Sequence, residues 1–219
     1  MKRLGIILCV SLLTGCAATT NIDEFRTSAD PILIDGSEKV VILGRRDAGH
    51  YQTDRDFVNC VGDKIQTKSI TVMPEKQFID SIYPWFEPRT APKGLSRLKH
   101  LLEQPIIRER VQSQGIRYLI WLDGKTETQN KSGAMSCAIG PGGGGCFGFT
   151  SWDKASIYEA ILWDLEELTE KARVRVDSSG TSYLIGALAP IPLLSPVESD
   201  ACSGLGNQIR SFFAGETQT

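Results

Sequence analysis

Histidine is almost missing from this 219-residue chain, which carries two, His50 and His100. Neither stands in a Gly-x-Ser-x-Gly or His-Glu-x-x-His signature, so catalysis built on a near-neutral imidazole has no motif to rest on, and both are read as surface residues. A surplus of charge is missing as well. Lys+Arg 24 against Asp+Glu 26 leaves a formal charge of −2, which excludes a global positive field for gathering phosphates, and no nucleic-acid partner is expected. A mean hydropathy of −0.13 excludes a polytopic membrane protein. Neither an internal repeat nor a second domain is evident. What remains is an ordinary folding composition, 41% hydrophobic and 23% charged, enough for one domain with a real core.

The N-terminus carries an address. Lys2 and Arg3 precede an apolar stretch from Leu4 to Leu13, about ten residues and too short to cross a hydrocarbon core of about 30 Å. It ends Leu13-Thr14-Gly15-Cys16, which resembles the lipobox of bacterial lipoproteins. That resemblance implies a signal peptide over 1–15, diacylglycerol on the Cys16 thiol, cleavage after Gly15 and acylation, as with palmitate, of the new amine. Two or three acyl chains anchor firmly where one binds marginally. In lipoproteins of Gram-negative bacteria an Asp after the Cys favours inner-membrane retention; the residue here is Ala17, so outer-membrane anchoring with the domain facing the periplasm is expected. An ordinary secretory signal with an incidental Cys16 is the competing reading. Residues 16–36 read as the lipidated N-terminus and a tether, and 215–219 as a disordered tail.

Residues 37–214 read as a single mixed α/β domain, a sheet with parallel and antiparallel parts covered by helices. Glu38 to Gly44 is an apolar run ended by glycine, a buried-strand pattern. Thr53-x-x-Asp56 offers a helix start, and Phe57, Val58, Val61 and Ile65 follow at helical spacing to about Gln66. Ser69–Met73 is a second strand. Pro74 and Pro105 each suit the first position of a helix, the latter ending near Gly115, and Arg117–Leu122 reads as a central strand. Beyond Asp123 four short strands are expected, Ala134–Ala138, Cys146–Thr150, Ser156–Asp164 and Ala172–Ser178. Ser195-Pro196-Val197-Glu198 opens a last helix with Cys202, Leu205, Ile209 and Phe212 on one face.

This order of elements has a resemblance. A Val40-Val41-Ile42-Leu43 strand, a long first helix, a three-strand crossover, a strand ending Ile161-Leu162-Trp163-Asp164-Leu165 and a returning last helix resemble the α/β domain of envelope proteins related to the TolB amino-terminal domain and the curli-secretion lipoprotein CsgG. It covers Glu38 to Phe213 and implies a fold and an envelope setting. It brings no matched catalytic or ligand motif. A secretion-channel role is not carried over, because the Cys-containing Gly-rich insertion lies outside the pattern and no long amphipathic pore hairpins are apparent.

With Cys9 in the signal and Cys16 lipidated, Cys60, Cys137, Cys146 and Cys202 remain. Four cysteines in an exported domain suggest two disulfides, with three possible connectivities. Cys137 and Cys146 bracket a glycine-rich hairpin end, while Cys60 and Cys202 lie on the apolar faces of the first and last helices, so 60–202 with 137–146 is the favoured pairing. Zinc is the rival, without a C-x2-C pair to support it; no metal and no cofactor are assigned.

No catalytic residue is assigned. Gly140-Pro141-Gly142-Gly143-Gly144-Gly145 lacks the Gly-Lys-[Ser/Thr] ending of a phosphate loop and reads as a hairpin turn or partner-contact loop. Asp123, Glu127, Glu159 and Asp164 show no pairing by spacing, and Glu166, Glu167 and Glu170 read as a solvated turn. Tyr83-Pro84-Trp85-Phe86-Glu87-Pro88-Arg89-Thr90-Ala91-Pro92 either lids the core or displays aromatics to a partner. Candidate partner contacts are therefore Trp85, Phe86, Arg89, Gly142, Gly143, Gly144 and Gly145. The leading reading is a lipid-anchored envelope protein that binds another envelope component, a protein, without catalysis. An anchored hydrolase of cell-wall or envelope polymers and a glycan- or small-ligand-binding lipoprotein are the alternatives, and oligomeric state is left open.

Overall fold

The computed structural model describes residues 17–47, 50–51, 53–86, 92–141, 143–188 and 190–214. In chain order these form β1 (Thr19–Arg26), β2 (Lys39–Gly44), β3 (Arg46–Asp47), β4 (His50–Tyr51), α1 (Arg55–Ile65), β5 (Thr71–Met73), α2 (Glu75–Ser81), α3 (Leu95–Leu102), α4 (Pro105–Gln112), β6 (Ile116–Gly140), β7 (Gly143–Asp164), β8 (Thr169–Leu188), β9 (Pro190–Leu193) and α5 (Val197–Ala214). The main sheet runs β1-β8-β7-β6-β2-β5, with β9 on β8. Strand β2 pairs in parallel with both β5 and β6, and β8 pairs antiparallel with β9. The expected mixed α/β class, with its C-terminal helix, is what the chain adopts.

The chain falls into two compact units. A core unit comprises Asn21–Lys125, Ile157–Asp177 and Ala201–Thr219; a ribbon unit comprises Met1–Thr20, Thr126–Ser156 and Ser178–Asp200. The core unit is layered because β2 is buried on both faces. Val40 and Ile42 join Phe57, Val61, Leu205 and Ile209 of α1 and α5, while the alternate Val41 and Leu43 join Phe78, Leu98, Ile107 and Val111 of α2, α3 and α4. The period-two alternation of a strand thus feeds two separate apolar clusters. Among the charged groups Asp164 is buried; it accepts from Arg117 Nη2 at 2.9 Å and from the Glu166 and Glu167 amides at 2.9 and 3.1 Å, closing the turn from β7 to β8. Burial works to lower the Arg117 pKa, but the Asp164 charge and hydrogen bond prevail and hold it above the ordinary value.

Four local expectations are corrected. Helix α1 is capped by Asp54, whose carboxylate accepts from Asp56 N at 2.7 Å, while the Thr53 hydroxyl is buried and donates to Leu122 O at 3.1 Å. Helix α5 starts at Val197, one residue later than a Ser195 cap allows; the Pro196 carbonyl accepts from Asp200 N at 2.8 Å. Helix α3 has no counterpart among the expected elements, for it is short and follows Gly94 with no side-chain cap. The segment 16–36, expected as a tether, contains β1, and its Ile32 amide donates to Phe212 O at 2.8 Å.

The largest departure lies beyond Asp123. In place of four short strands there are three long ones, β6, β7 and β8. Glycines let the facing backbones of these polar, small-residue stretches approach closely. Gly133 and Gly148 adopt φ of 93° and 137°, and a Cβ on either would strike the backbone of the facing strand, Phe149–Thr150 and Ala134–Met135 respectively. The hairpin expected at the glycine-rich turn is therefore present, with strands far longer than the sequence indicated.

Candidate interaction surface

The ribbon unit is built from hairpin geometry. Gly133 facing Phe149–Thr150 and Gly148 facing Ala134–Met135 fix β6 and β7 as antiparallel. Thr181 Oγ1 donates to Asp153 Oδ1 at 2.7 Å, and Gly186 lies beside Cys146, which fixes β7 and β8 in the same sense. Between β8 and β9 the register is Tyr183↔Leu193 and Ile185↔Ile191. Phe149 and Tyr183 are in ring contact, with centroids 5.7 Å apart. Alternation then assigns Phe147, Phe149, Tyr183, Ile185, Ile191 and Leu193 to one face. Five of these are solvent-exposed, from 37% for Ile185 to 62% for Phe147. Single exposed apolar residues are commonplace; a contiguous set spanning three strands is a candidate contact surface.

This surface has a compositional signal that reading by motif passed over. No Asp, Glu, Lys or Arg occurs from Ser132 to Trp152 or from Ser178 to Val197. The two blanks are far apart in sequence and come together because β7 and β8 are neighbours. Charge resumes at Lys131, Asp153 and Lys154. At that border a cleft of about 520 Å³ is lined by Ala17, Asp153, Lys154, Thr181 and Tyr183 among others. Ala17 is placed there because β1 runs antiparallel to β8, with Thr20 Oγ1 2.8 Å from Ser178 Oγ and the Thr27 amide 3.0 Å from Lys171 O.

The residues singled out in the sequence are distributed otherwise. Cys60 is bonded to Cys202 with Cα atoms 6.2 Å apart, and Cys137 to Cys146 with Cα atoms 4.1 Å apart. Phe86 is buried and meets Phe78 edge-on at 5.5 Å, and Trp85 packs on the same cluster. Trp85 and Phe86 therefore close the core while Tyr83 stays exposed, and Phe86 is not a partner contact. Gly143 and Gly144 are exposed and Gly145 half-buried at the end of the hairpin. Cys16, Arg89 and Gly142 lie outside the described residues, as do 1–15 and 215–219.

The acidic candidates are met by cations, Asp164 and Glu166 sharing Arg117 and Glu159 and Glu170 sharing Arg173. Asp123 pairs with Arg45 at 2.8 Å, Glu159 with Arg173 at 2.9 Å and Asp164 with Arg117. Glu166, Glu167 and Glu170 pair with Arg117, Lys171 and Arg173 respectively, so the acidic turn is laced with cations. His100 is exposed and lies 3.0 Å from Glu103; for His50 only the backbone, in β4, is described. Among the described residues no group of His, Cys, Asp and Glu is arranged to hold a metal ion.

No protein-family model matches the chain, and no curated protein matches it. Among solved structures it is similar to a point-substituted PelC dodecamer from Paraburkholderia phytofirmans, at 9% identity and a TM-score of 0.41 over 90% of this chain and 100% of that one. A second PelC dodecamer from the same organism gives 11%, 0.41, 91% and 100%. A putative neuraminyllactose-binding hemagglutinin homolog from Helicobacter pylori gives 9% identity and a TM-score of 0.34 over 84% of this chain and 86% of that one.

Proposed function

We propose that this is a lipid-anchored protein of the cell envelope, held to the outer membrane through acylated Cys16, with a non-catalytic binding or assembly role towards another envelope component. The ribbon unit is its contact surface. The observation that carries this reading is the exposed apolar face of Phe147, Phe149, Ile185, Ile191 and Leu193 on two stretches, Ser132–Trp152 and Ser178–Val197, that hold no charged residue. Burying such a face against a partner releases its hydration at about 25 cal/mol per Å² of apolar area. The lipobox supplies the setting, and the disulfides Cys60–Cys202 and Cys137–Cys146 suit an oxidising compartment.

Cys16→Ser tests the anchor. Removing the thiol that accepts diacylglycerol is expected to leave an unprocessed or released species; unchanged mature mass and unchanged membrane fractionation would refute lipidation. Cross-linking from Phe149 in intact envelopes tests the contact surface, and absence of any adduct there would refute it.

A further inference from the structure

We infer that the envelope component covering the apolar face of the ribbon unit is the lipid leaflet itself, so that the ribbon lies on the membrane beside the acyl chains of Cys16. This rests on the proposed lipidation of Cys16 and on the contact-surface reading. Three observations separate a lipid surface from a protein one.

The first is charge. A protein partner is met by an apolar centre with a polar, often arginine-bearing surround, whereas Ser132–Trp152 and Ser178–Val197 hold no ionised side chain at all. Ionised groups are what hydrocarbon excludes most strongly. The second is the border. Tyr183 stands where the apolar face ends, in the cleft with Asp153 and Lys154, and an amphipathic aromatic with a neighbouring cation suits the headgroup level. The third is reach. Ala17 lies in the cleft with Tyr183 and Asp153, and it immediately follows the lipidated position. No slack chain separates the acyl groups from this border, so inserting them brings the apolar face to the leaflet.

The ribbon rests on the leaflet rather than crossing it. In the sheet β6 has β7 on one side and β2 on the other, and β2 reaches only as far as Leu122. From Thr128 to Gly140, among the described residues, that edge of β6 has no strand beside it, and an open sheet edge is not tolerated in hydrocarbon. At the interface water and headgroups satisfy its backbone groups.

The test uses the full lipidated protein with a diazirine-bearing residue in place of Phe149, of Ile191 or, as a control, of Ile106, an exposed apolar residue on α4 of the core unit. Each is photolysed in phosphatidylethanolamine–phosphatidylglycerol vesicles and in intact envelopes, and peptide mapping of the Cys137–Cys146 bridge verifies that the ribbon is folded. Lipid adducts at 149 and 191, with none at 106, are expected in both settings. Lipid adducts at all three positions, or adducts between copies of the chain, would overturn the inference. A protein adduct from 149 in intact envelopes would overturn the lipid assignment while leaving the contact surface standing; no adduct of either kind would remove both.

Discussion

Cys60 on α1 and Cys202 on α5 are bonded across 142 residues of sequence, which locks the two helices that share one face of the sheet. The chain-entropy account gives about 5 kcal/mol for a loop of that length and about 2.5 kcal/mol for the short Cys137–Cys146 loop. Cys60→Ala with Cys202→Ala is therefore expected to lower unfolding stability by about 2 to 5 kcal/mol, and more than Cys137→Ala with Cys146→Ala. Urea unfolding of the oxidised variants checks the order; equal losses would contradict it.

Gly124 has a φ of 145°, and a Cβ there would lie 2.6 Å from the Tyr158 Cα. The Tyr158 ring is stacked on Phe57 at a centroid distance of 3.5 Å, so it has nowhere to retreat. Gly124→Ala is expected to cost more than about 1 kcal/mol. Gly36→Ala, with open space around it, is the comparison and should lie within about 0.5 kcal/mol of the parent. Thermal melts of the two variants decide.

Asp164 holds the β7–β8 turn and Arg117 together. Asp164→Ala leaves two amides and a half-buried guanidinium without their acceptor and is expected to cost about 2 to 4 kcal/mol. Denaturant midpoints measure the loss, and amide exchange at Glu166 and Glu167 should rise with it.

The Tyr118 hydroxyl donates to Leu33 O at 2.7 Å. Burial raises its pKa, the Asp164 charge acts in the same direction and Arg117 opposes. The folded state thus keeps a proton that the unfolded chain releases at about pH 10. Its stabilising contribution is complete below that pH and is lost as pH rises through the higher folded-state value. Tyr118→Phe should cost about 1 kcal/mol at neutral pH and should lack this alkaline decline, as unfolding curves from about pH 9 to 11 would show.

The layered half of the fold was legible because its elements announce themselves locally. The Val40–Leu43 run and the spacing of Phe57, Val61 and Ile65 leave few alternatives, and Pro105 opens α4 where expected. Of the ribbon only the end was legible, where Cys137 and Cys146 bracket the glycine-rich turn; the length of its strands was not. They contain Gly133 and Gly148 at positions where strand propensity is lowest, and they persist because each is paired with a neighbour. The aromatic segment offered two destinations, and Phe86 took the core, where its ring meets Phe78. The contact surface escaped because it joins two charge-free stretches that only the pairing of β7 with β8 makes adjacent.

Strand β1 carries a consequence for the order in which the chain takes shape. Its hydrogen-bonded neighbour is β8, and Thr20 meets Ser178 across 158 residues. Synthesis delivers β1 at the start and its docking site near the end. Loop closure over that distance cannot begin until most of the chain has been made. The earliest segment to emerge is thus among the last to be seated.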